Sequence, residues 1–241
     1  MTKDDAGYLI NRFYNTPALE VMTILEQEYP GKVVFTTSFG YEDQVITDII
    51  CRNNLNLEIV TLDTGRFFEE TYKTWRSTAE KYGRTIVPFF PPQKQVELML
   101  RMKGPFSFYE SVENRKECCN IRKVIPLRRA LEGMVIWITG LRAQQSAGRS
   151  VISLFEWDES FGIVKYNPLL DWDTERVKAY IRDNHVPYNI LHDKGFASIG
   201  CAPCTRAIQP GDEFRAGRWW WEHNSGKECG IHNHYLADEE E

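Results

Sequence analysis

The stretch Val33-Val34-Phe35-Thr36-Thr37-Ser38-Phe39-Gly40 decides the fold. An unbroken apolar and β-branched run reads as a buried strand, and Ser38-Phe39-Gly40 as the turn that ends it. Asp43 to Cys51 follows at helical spacing, with Val45, Ile46, Ile49 and Ile50 pointing inward. The unit then repeats. Glu58-Ile59-Val60-Thr61-Leu62 is a second strand, closed by Asp63-Thr64-Gly65 and followed by a helix from Glu69 to Tyr82. Thr85 to Pro88 reads as a third strand, Val135 to Thr139 as a fourth ending in Gly140-Leu141-Arg142, and Ile163 to Pro168 as a fifth. Helical spacing also covers residues 17–29, 94–102 and 117–131, and a helix from Asp173, capped by Asp173 or Thr174, to near Asn184. Strands alternating with helices predict an α/β fold with a doubly wound, mostly parallel sheet. In such sheets ligands gather at the carboxyl ends of the strands. The three turns after the first, second and fourth strands all lie there and should converge on one edge.

Composition narrows the function. The 241 residues carry a net charge of -5, which argues against a general nucleic-acid binder but allows a local basic pocket for a small anion. No run approaches the roughly 18 apolar residues of a membrane span. The acidic start Met1-Thr2-Lys3-Asp4-Asp5 does not read as a targeting segment, so a cytoplasmic protein is expected. Thiols are kept reduced there, and the six cysteines then speak for metal binding or thiol chemistry rather than a disulfide framework.

Cys118-Cys119 and Cys201-Ala202-Pro203-Cys204 offer four soft sulfurs in two close pairs, suited to zinc or an iron–sulfur cluster. An adjacent pair is awkward around one zinc ion, whereas a cluster offers separate iron corners, so a 4Fe-4S cluster is favoured. Arg115, Lys116, Arg122 and Lys123 surround the first pair, as an anionic cluster would require. Cys51 falls in an apolar helical face and reads as packing. Cys229 stands apart in Lys227-Glu228-Cys229-Gly230-Ile231-His232, with a cation on one side and a histidine on the other to favour its thiolate.

These motifs together resemble the iron–sulfur class of adenylyl-sulfate (APS) reductases, grouped with the phosphoadenylyl-sulfate (PAPS) reductases. The resemblance rests on an ordered series: Ser38-Phe39-Gly40-x-Glu42-Asp43, Leu62-Asp63-Thr64-Gly65-Arg66, Arg115-Lys116-x-Cys118-Cys119-x-x-Arg122-Lys123, Gly140-Leu141-Arg142-x-x-Gln145-Ser146, Cys201-x-x-Cys204, Arg215-Ala216-Gly217-Arg218-Trp219-Trp220-Trp221-Glu222 and Glu228-Cys229-Gly230-Ile231-His232. It implies a fold like that of N-type ATP pyrophosphatases, a main domain over 1–222, and a flexible catalytic tail over 223–241. It implies one 4Fe-4S cluster on Cys118, Cys119, Cys201 and Cys204, close to the substrate but not carrying electrons to it. It implies substrate contacts from Ser38, Gly40, Asp43, Asp63, Thr64, Gly65, Lys123, Arg142, Arg215 and Arg218. Cys229 would be the nucleophile, and His232 either tunes it or is a surface histidine. A thioredoxin or glutaredoxin would complete the reaction, with neither nucleic acid nor membrane as partner. A homo-oligomer stays open, and so does PAPS in place of APS.

Ser38-Phe39-Gly40-Tyr41-Glu42-Asp43 departs from the Ser-Gly-Gly-x-Asp-Ser of the ATP pyrophosphatases. Its acidic side chains would repel a triphosphate, which disfavours an ATP-cleaving, RNA-thiolating enzyme. A metal-bound redox sensor without turnover is the non-enzymatic alternative. Trp219-Trp220-Trp221 reads as packing rather than as a platform for a base.

Overall fold

The computed structural model describes residues 1–145, 152–222 and 231. Eight helices and six strands are laid out among them. Helices α1 (Lys3–Arg12) and α2 (Ala18–Glu28) precede β1 (Val33–Thr37), α3 (Tyr41–Arg52), β2 (Glu58–Leu62), α4 (Glu69–Tyr82) and β3 (Val87–Phe89). Then come α5 (Gln93–Lys103), α6 (Val112–Cys119), α7 (Ile125–Ala130), β4 (Ile136–Ile138), β5 (Phe155–Asp158), β6 (Ile163–Tyr166) and α8 (Thr174–Asp183).

The strand order is β3-β2-β1-β4-β6-β5. β1 pairs in parallel with β2 and β4, β4 pairs in parallel with β6, and β5 runs antiparallel to β6. The chain winds outward from β1 in one direction and from β4 in the other, so the switch point lies between β1 and β4. The expected doubly wound, mostly parallel α/β sheet is what the chain forms.

The chain divides into two compact units. The first comprises Met1–Thr61, Glu69–Val87 and Leu131–Ile190. Its core is the apolar interior of the sheet, with Phe35, Trp137 and Tyr166 almost wholly buried. α3 is buried along Asp43–Ile50, so it carries polar groups that need partners. Asp48 accepts hydrogen bonds from the hydroxyls of Tyr82 (2.6 Å) and Tyr180 (2.8 Å), tying α3 to α4 and α8. The second unit comprises Leu62–Phe68, Pro88–Ala130 and Leu191–Glu241. Its core gathers Met99, Phe108, Ile121 and Trp219 around Cys118, Cys119, Cys201 and Cys204.

Four elements depart from the sequence reading, each for a physical reason. The third strand begins at Val87 rather than Thr85 and includes Pro88, which is tolerated because β3 is an edge strand. β5 was not expected, since Phe155-Glu156-Trp157-Asp158 mixes acids into a short run. Those acids answer the buried Lys165 of β6, at 3.7 Å from Glu156 and 2.6 Å from Asp158. α1 is set by a capping box in which Thr2 and Asp5 exchange hydrogen bonds across the first turn. The helix expected over 117–131 is interrupted by a π-helical turn, Asn120–Val124. Pro126 has no N–H to give to the Arg122 carbonyl four residues back, and its ring crowds that carbonyl. The helix widens instead, and the Ile125 N–H reaches the Asn120 carbonyl.

Candidate functional site

Two polar assemblies carry the residues singled out from the sequence, one in each unit. The first sits at the switch point. Asp43, in the first turn of α3, accepts from the Ser38 backbone N–H (2.6 Å) and the Ser38 hydroxyl (2.7 Å). This closes Ser38-Phe39-Gly40 into a tight turn, with Phe39 at a left-handed φ of 62°. The Phe39 ring is fully buried and stacks on Trp75 at 5.6 Å, which holds that backbone in place. Gly140, after β4, packs against the Asp43 carboxylate, where a Cβ would overlap Oδ1. Burial pushes the Asp43 carboxyl up to about 6, against the pull of its Ser38 hydrogen bonds.

Arg142 lies in the same assembly and is 1% exposed. Its guanidinium donates to Glu42 (2.8 Å), the Trp172 carbonyl (2.9 Å) and Thr174 Oγ1 (3.2 Å). The acids at the start of α3 are therefore both engaged, Asp43 as a clasp on the turn and Glu42 as the counter-ion of Arg142. The Glu42–Arg142 partnership is not visible in local sequence, since the two residues lie 100 apart.

The second assembly is built around the four cysteines. Cys118, Cys119, Cys201 and Cys204 line one cavity together with Arg66, Arg115, Arg122, Lys123 and Trp219. α6, capped by Ser111 on the Asn114 N–H, delivers the first pair at its last two positions. The π-helical turn then carries Arg122 and Lys123. A single 3-10 turn, Ala202–Cys204, brings the second pair together.

The turn Asp63-Thr64-Gly65 abuts Cys201 and Arg122 of this cavity. Asp63 accepts from the Gly65 N–H (2.8 Å), and Thr64 meets both partners of the site. Its hydroxyl accepts from the Cys201 thiol (3.3 Å) and its carbonyl accepts from Arg122 Nη1 (2.6 Å). Nothing in the sequence signalled that this turn touches the cysteines.

Arg218 is held beside Cys204 by backbone. Thr205 and Arg218 form an antiparallel bridge, and the Trp219 N–H donates to the Cys204 carbonyl (3.3 Å). Gly200 is pressed against the Arg218 guanidinium, leaving no room for a Cβ. Trp219 is fully buried, with Arg115, Arg218 and Arg215 over its ring at 4.6, 4.8 and 5.6 Å. The tryptophan run is packing, as its sequence suggested. Arg115 also pairs with Glu222 (2.8 Å), both side chains being nearly inaccessible.

The electrostatics are unusual for a protein core. Burial pushes the Cys204 thiol up to about 12, helped by Cys201 and opposed by Lys123 and Arg218. Burial likewise raises Cys118, against the pull of Arg122. Two buried N–H groups of this wall, Arg122 Nε and Trp219 Nε1, have no acceptor among the described residues, and neither does Arg218 Nε beside Cys204. Donors without acceptors around four thiols fit a bound group that is anionic and rich in acceptor sulfur. Among the described residues, no group of three or more His, Cys, Asp or Glu is spaced to hold a single metal ion.

The structure thus brings Ser38, Gly40, Asp43 and Arg142 together in one unit. In the other it brings together Asp63, Thr64, Gly65, Lys123, Arg215, Arg218 and the four cysteines. Cys229, His232, Ser146 and the tail expected over 223–241 lie outside the described residues, Ile231 excepted. Among the described residues no helix is long and apolar enough to cross a membrane.

Comparison with known proteins identifies the family. The profile of the phosphoadenosine phosphosulfate reductase domain matches residues 32–207. The chain is 49% identical over 202 residues to an adenosine 5'-phosphosulfate reductase of Agrobacterium fabrum, covering 84% of this chain and 78% of that one. It is 46% identical over 220 residues to the reductase of the same name from Allochromatium vinosum, covering 91% and 86%. Among solved structures, a phosphoadenylyl-sulfate reductase of Candida auris superposes with a TM-score of 0.72 at 30% identity, over 86% of this chain and 98% of that one. Yeast FAD synthetase shares the fold alone, with a TM-score of 0.52 at 13% identity over 79% of this chain and 66% of that one. With a matching profile over most of its length and relatives close to half identical, the chain belongs to the phosphoadenosine phosphosulfate reductase family.

Proposed function

We propose that the protein reduces adenylyl sulfate to sulfite and AMP in sulfate assimilation, through an S-sulfocysteine on Cys229 that a cytoplasmic thioredoxin-type dithiol resolves. One structural observation carries the reading: the four cysteines line a single cavity whose wall is made of arginine, lysine and unpartnered buried N–H groups. The relatives near half identity, all named for adenylyl sulfate, favour that substrate over its 3'-phosphorylated form.

The donor set fits a 4Fe-4S cluster held by Cys118, Cys119, Cys201 and Cys204. Neighbouring residues on a helix point about 100° apart, so the thiols of Cys118 and Cys119 address separate metal corners more readily than one ion. Arg122, Arg218 and Trp219 would supply its sulfur atoms with N–H donors. When bound, the cluster supplies a fixed negative charge distribution beside the substrate.

The chemistry itself falls to side chains. Sulfur in a phosphate–sulfate anhydride calls for a soft nucleophile, and a thiolate is one. The Cys229 sulfur attacks the sulfuryl sulfur, the S–O bond to the AMP phosphate breaks, and AMP leaves with the electron pair. Lys123, Arg215 and Arg218 would neutralise the sulfate and the departing phosphate. Ser38 and Gly40, at the start of α3, would offer backbone N–H groups to the nucleotide. A dithiol partner then attacks the Cys229 sulfur and releases sulfite. The resulting mixed disulfide is cleaved by the partner's second thiol, so the partner is oxidised by two electrons and Cys229 returns as thiolate. In this reading residues 223–241 serve as the catalytic tail, and His232 adjusts the Cys229 thiolate.

The test is direct. Protein purified without oxygen should contain about four irons per chain. With ³⁵S-labelled APS it should retain label on the Cys229 peptide until reduced thioredoxin is added. Cys229→Ser should retain no label and release no sulfite. Sulfite production by that variant would end the proposal. PAPS in the same assay measures the preference between the two nucleotides.

A further inference from the structure

The two cysteine pairs come from separate segments, and a site that uses all four thiols needs those segments held at a fixed spacing. The short 3-10 turn Ser107–Tyr109 spans them. On one side it packs against α6, which carries Cys118 and Cys119. On the other, the Tyr109 hydroxyl donates to the Pro203 carbonyl at 2.6 Å, in the middle of Cys201-Ala202-Pro203-Cys204. The Tyr109 ring is fixed for that bond, with its centroid 4.5 Å from that of Phe108 and 4.4 Å from that of Trp221. Phe108 is itself buried, with the Arg66 guanidinium over its ring at 5.0 Å. Arg66 donates from Nη2 to the Pro105 carbonyl (2.7 Å), and its own carbonyl accepts from the Ala202 N–H (2.8 Å). The second cysteine pair is thus tied at two successive residues, Ala202 by Arg66 and Pro203 by Tyr109. Pro203 has no N–H, so its carbonyl is the only backbone group by which that residue can be held. Burial, helped by Cys204, raises the Tyr109 hydroxyl above the ordinary tyrosine value, which keeps it a donor at neutral pH.

We propose that Tyr109 is a positioning residue for the metal-binding thiols: its hydroxyl, bound to the Pro203 carbonyl, clamps the Cys201–Cys204 turn and sets how long an iron–sulfur cluster is retained. A thiolate that detaches from iron rebinds quickly while its backbone stays in place, and is lost only when the backbone swings away. The clamp opposes that swing. The proposal rests on the four cysteines holding the cluster, and it gives Tyr109 no contact with iron or with substrate.

The experiment compares anaerobically purified wild-type holoprotein with Tyr109→Phe and with Tyr14→Phe, a control whose ring is 75% exposed in the first unit. Four quantities are read in each: the rate of iron loss to excess ferrous chelator, the iron–thiolate bands in resonance Raman, amide hydrogen exchange of peptides covering 201–205 and 33–61, and the APS dissociation constant. Tyr109→Phe keeps the ring packing and removes one hydrogen bond, so iron loss should be about fivefold faster. Its iron–thiolate bands should broaden as the Cys204 sulfur samples more orientations, and exchange at 201–205 should quicken. Exchange at 33–61 and APS binding should stay within about twofold of wild type, and Tyr14→Phe should match wild type throughout. Unchanged iron loss or unchanged Raman bands in Tyr109→Phe would overturn the clamp. So would exchange at 33–61 that quickens as much as at 201–205, or equal iron loss from Tyr14→Phe, because the hydroxyl would then serve the chain in general. Wild-type protein that holds no iron would instead remove the cluster reading on which the clamp rests, so the two failures are distinguishable.

Discussion

Asp43 concentrates the energetics of the first assembly in one carboxyl. It is buried, it holds Ser38 by two hydrogen bonds, and burial lifts it to about 6. Because its folded value lies above the ordinary one, the native state binds a proton more readily than the unfolded chain. Its stabilising contribution is full below about pH 4 and is lost as pH rises through about 6. At neutral pH the ionised carboxylate remains as an internal cost. The expected outcome is that the stability of wild type minus that of Asp43→Asn falls by about 2.4 kcal/mol between pH 4 and pH 7. Urea unfolding across that range measures it, and a flat difference would show that the carboxyl is not strained by burial. Proton affinities of this kind are not legible in sequence. Ser38 and Asp43 could be marked as a turn and a helix start, but the burial that couples them comes from Phe39, Trp75 and Gly140. The same holds for Arg142, which the resemblance marked as a substrate contact and which the structure gives three protein partners.

The π-helical turn is the element on which the second assembly depends. It places Arg122 and Lys123 after the cysteine pair by widening one turn, and Pro126 is the cause. Pro126→Ala returns the missing N–H and removes the clash, so an ordinary α-helix becomes available. The expected result is an unfolding midpoint equal to or above wild type, with APS reduction lowered about tenfold as Lys123 rotates relative to Cys118 and Cys119. Unchanged activity would show that the widened turn does not set the presentation of the lysine. The sequence disclosed helical spacing here and even the proline, yet whether a proline kinks, ends or widens a helix depends on packing around it. Elements with clean periodicity fared better: α3, β2, α4 and α8 stand within two residues of their expected limits. β5 and α1 escaped notice because cross-strand acid–lysine pairs and a capping box decide them, rather than apolar period.

On the scale of the whole chain, the sheet and its winding were legible because alternating apolar runs leave few topologies open. The division into two units was not, since it groups segments far apart in sequence. It has a consequence for the proposed cluster. All four cysteines belong to the second unit, whose core is assembled around them. With the proposed cluster bound, stripping iron with a chelator should speed hydrogen exchange in 112–130 and 191–222, while 33–61 and 131–145 keep their protection. Uniform deprotection across the chain would mean that one cooperative unit spans both.

The Arg115–Glu222 pair adds a last consequence. Both side chains are almost inaccessible, and the pair fixes the chain to α6 at Glu222. Seven residues of covalent tether run from there to Cys229, a reach of at most about 25 Å. A sulfur confined to a sphere of that radius is present at an effective concentration on the order of 25 mM. In the proposed reaction, added small thiols would have to approach that level to compete with Cys229 for the sulfuryl group.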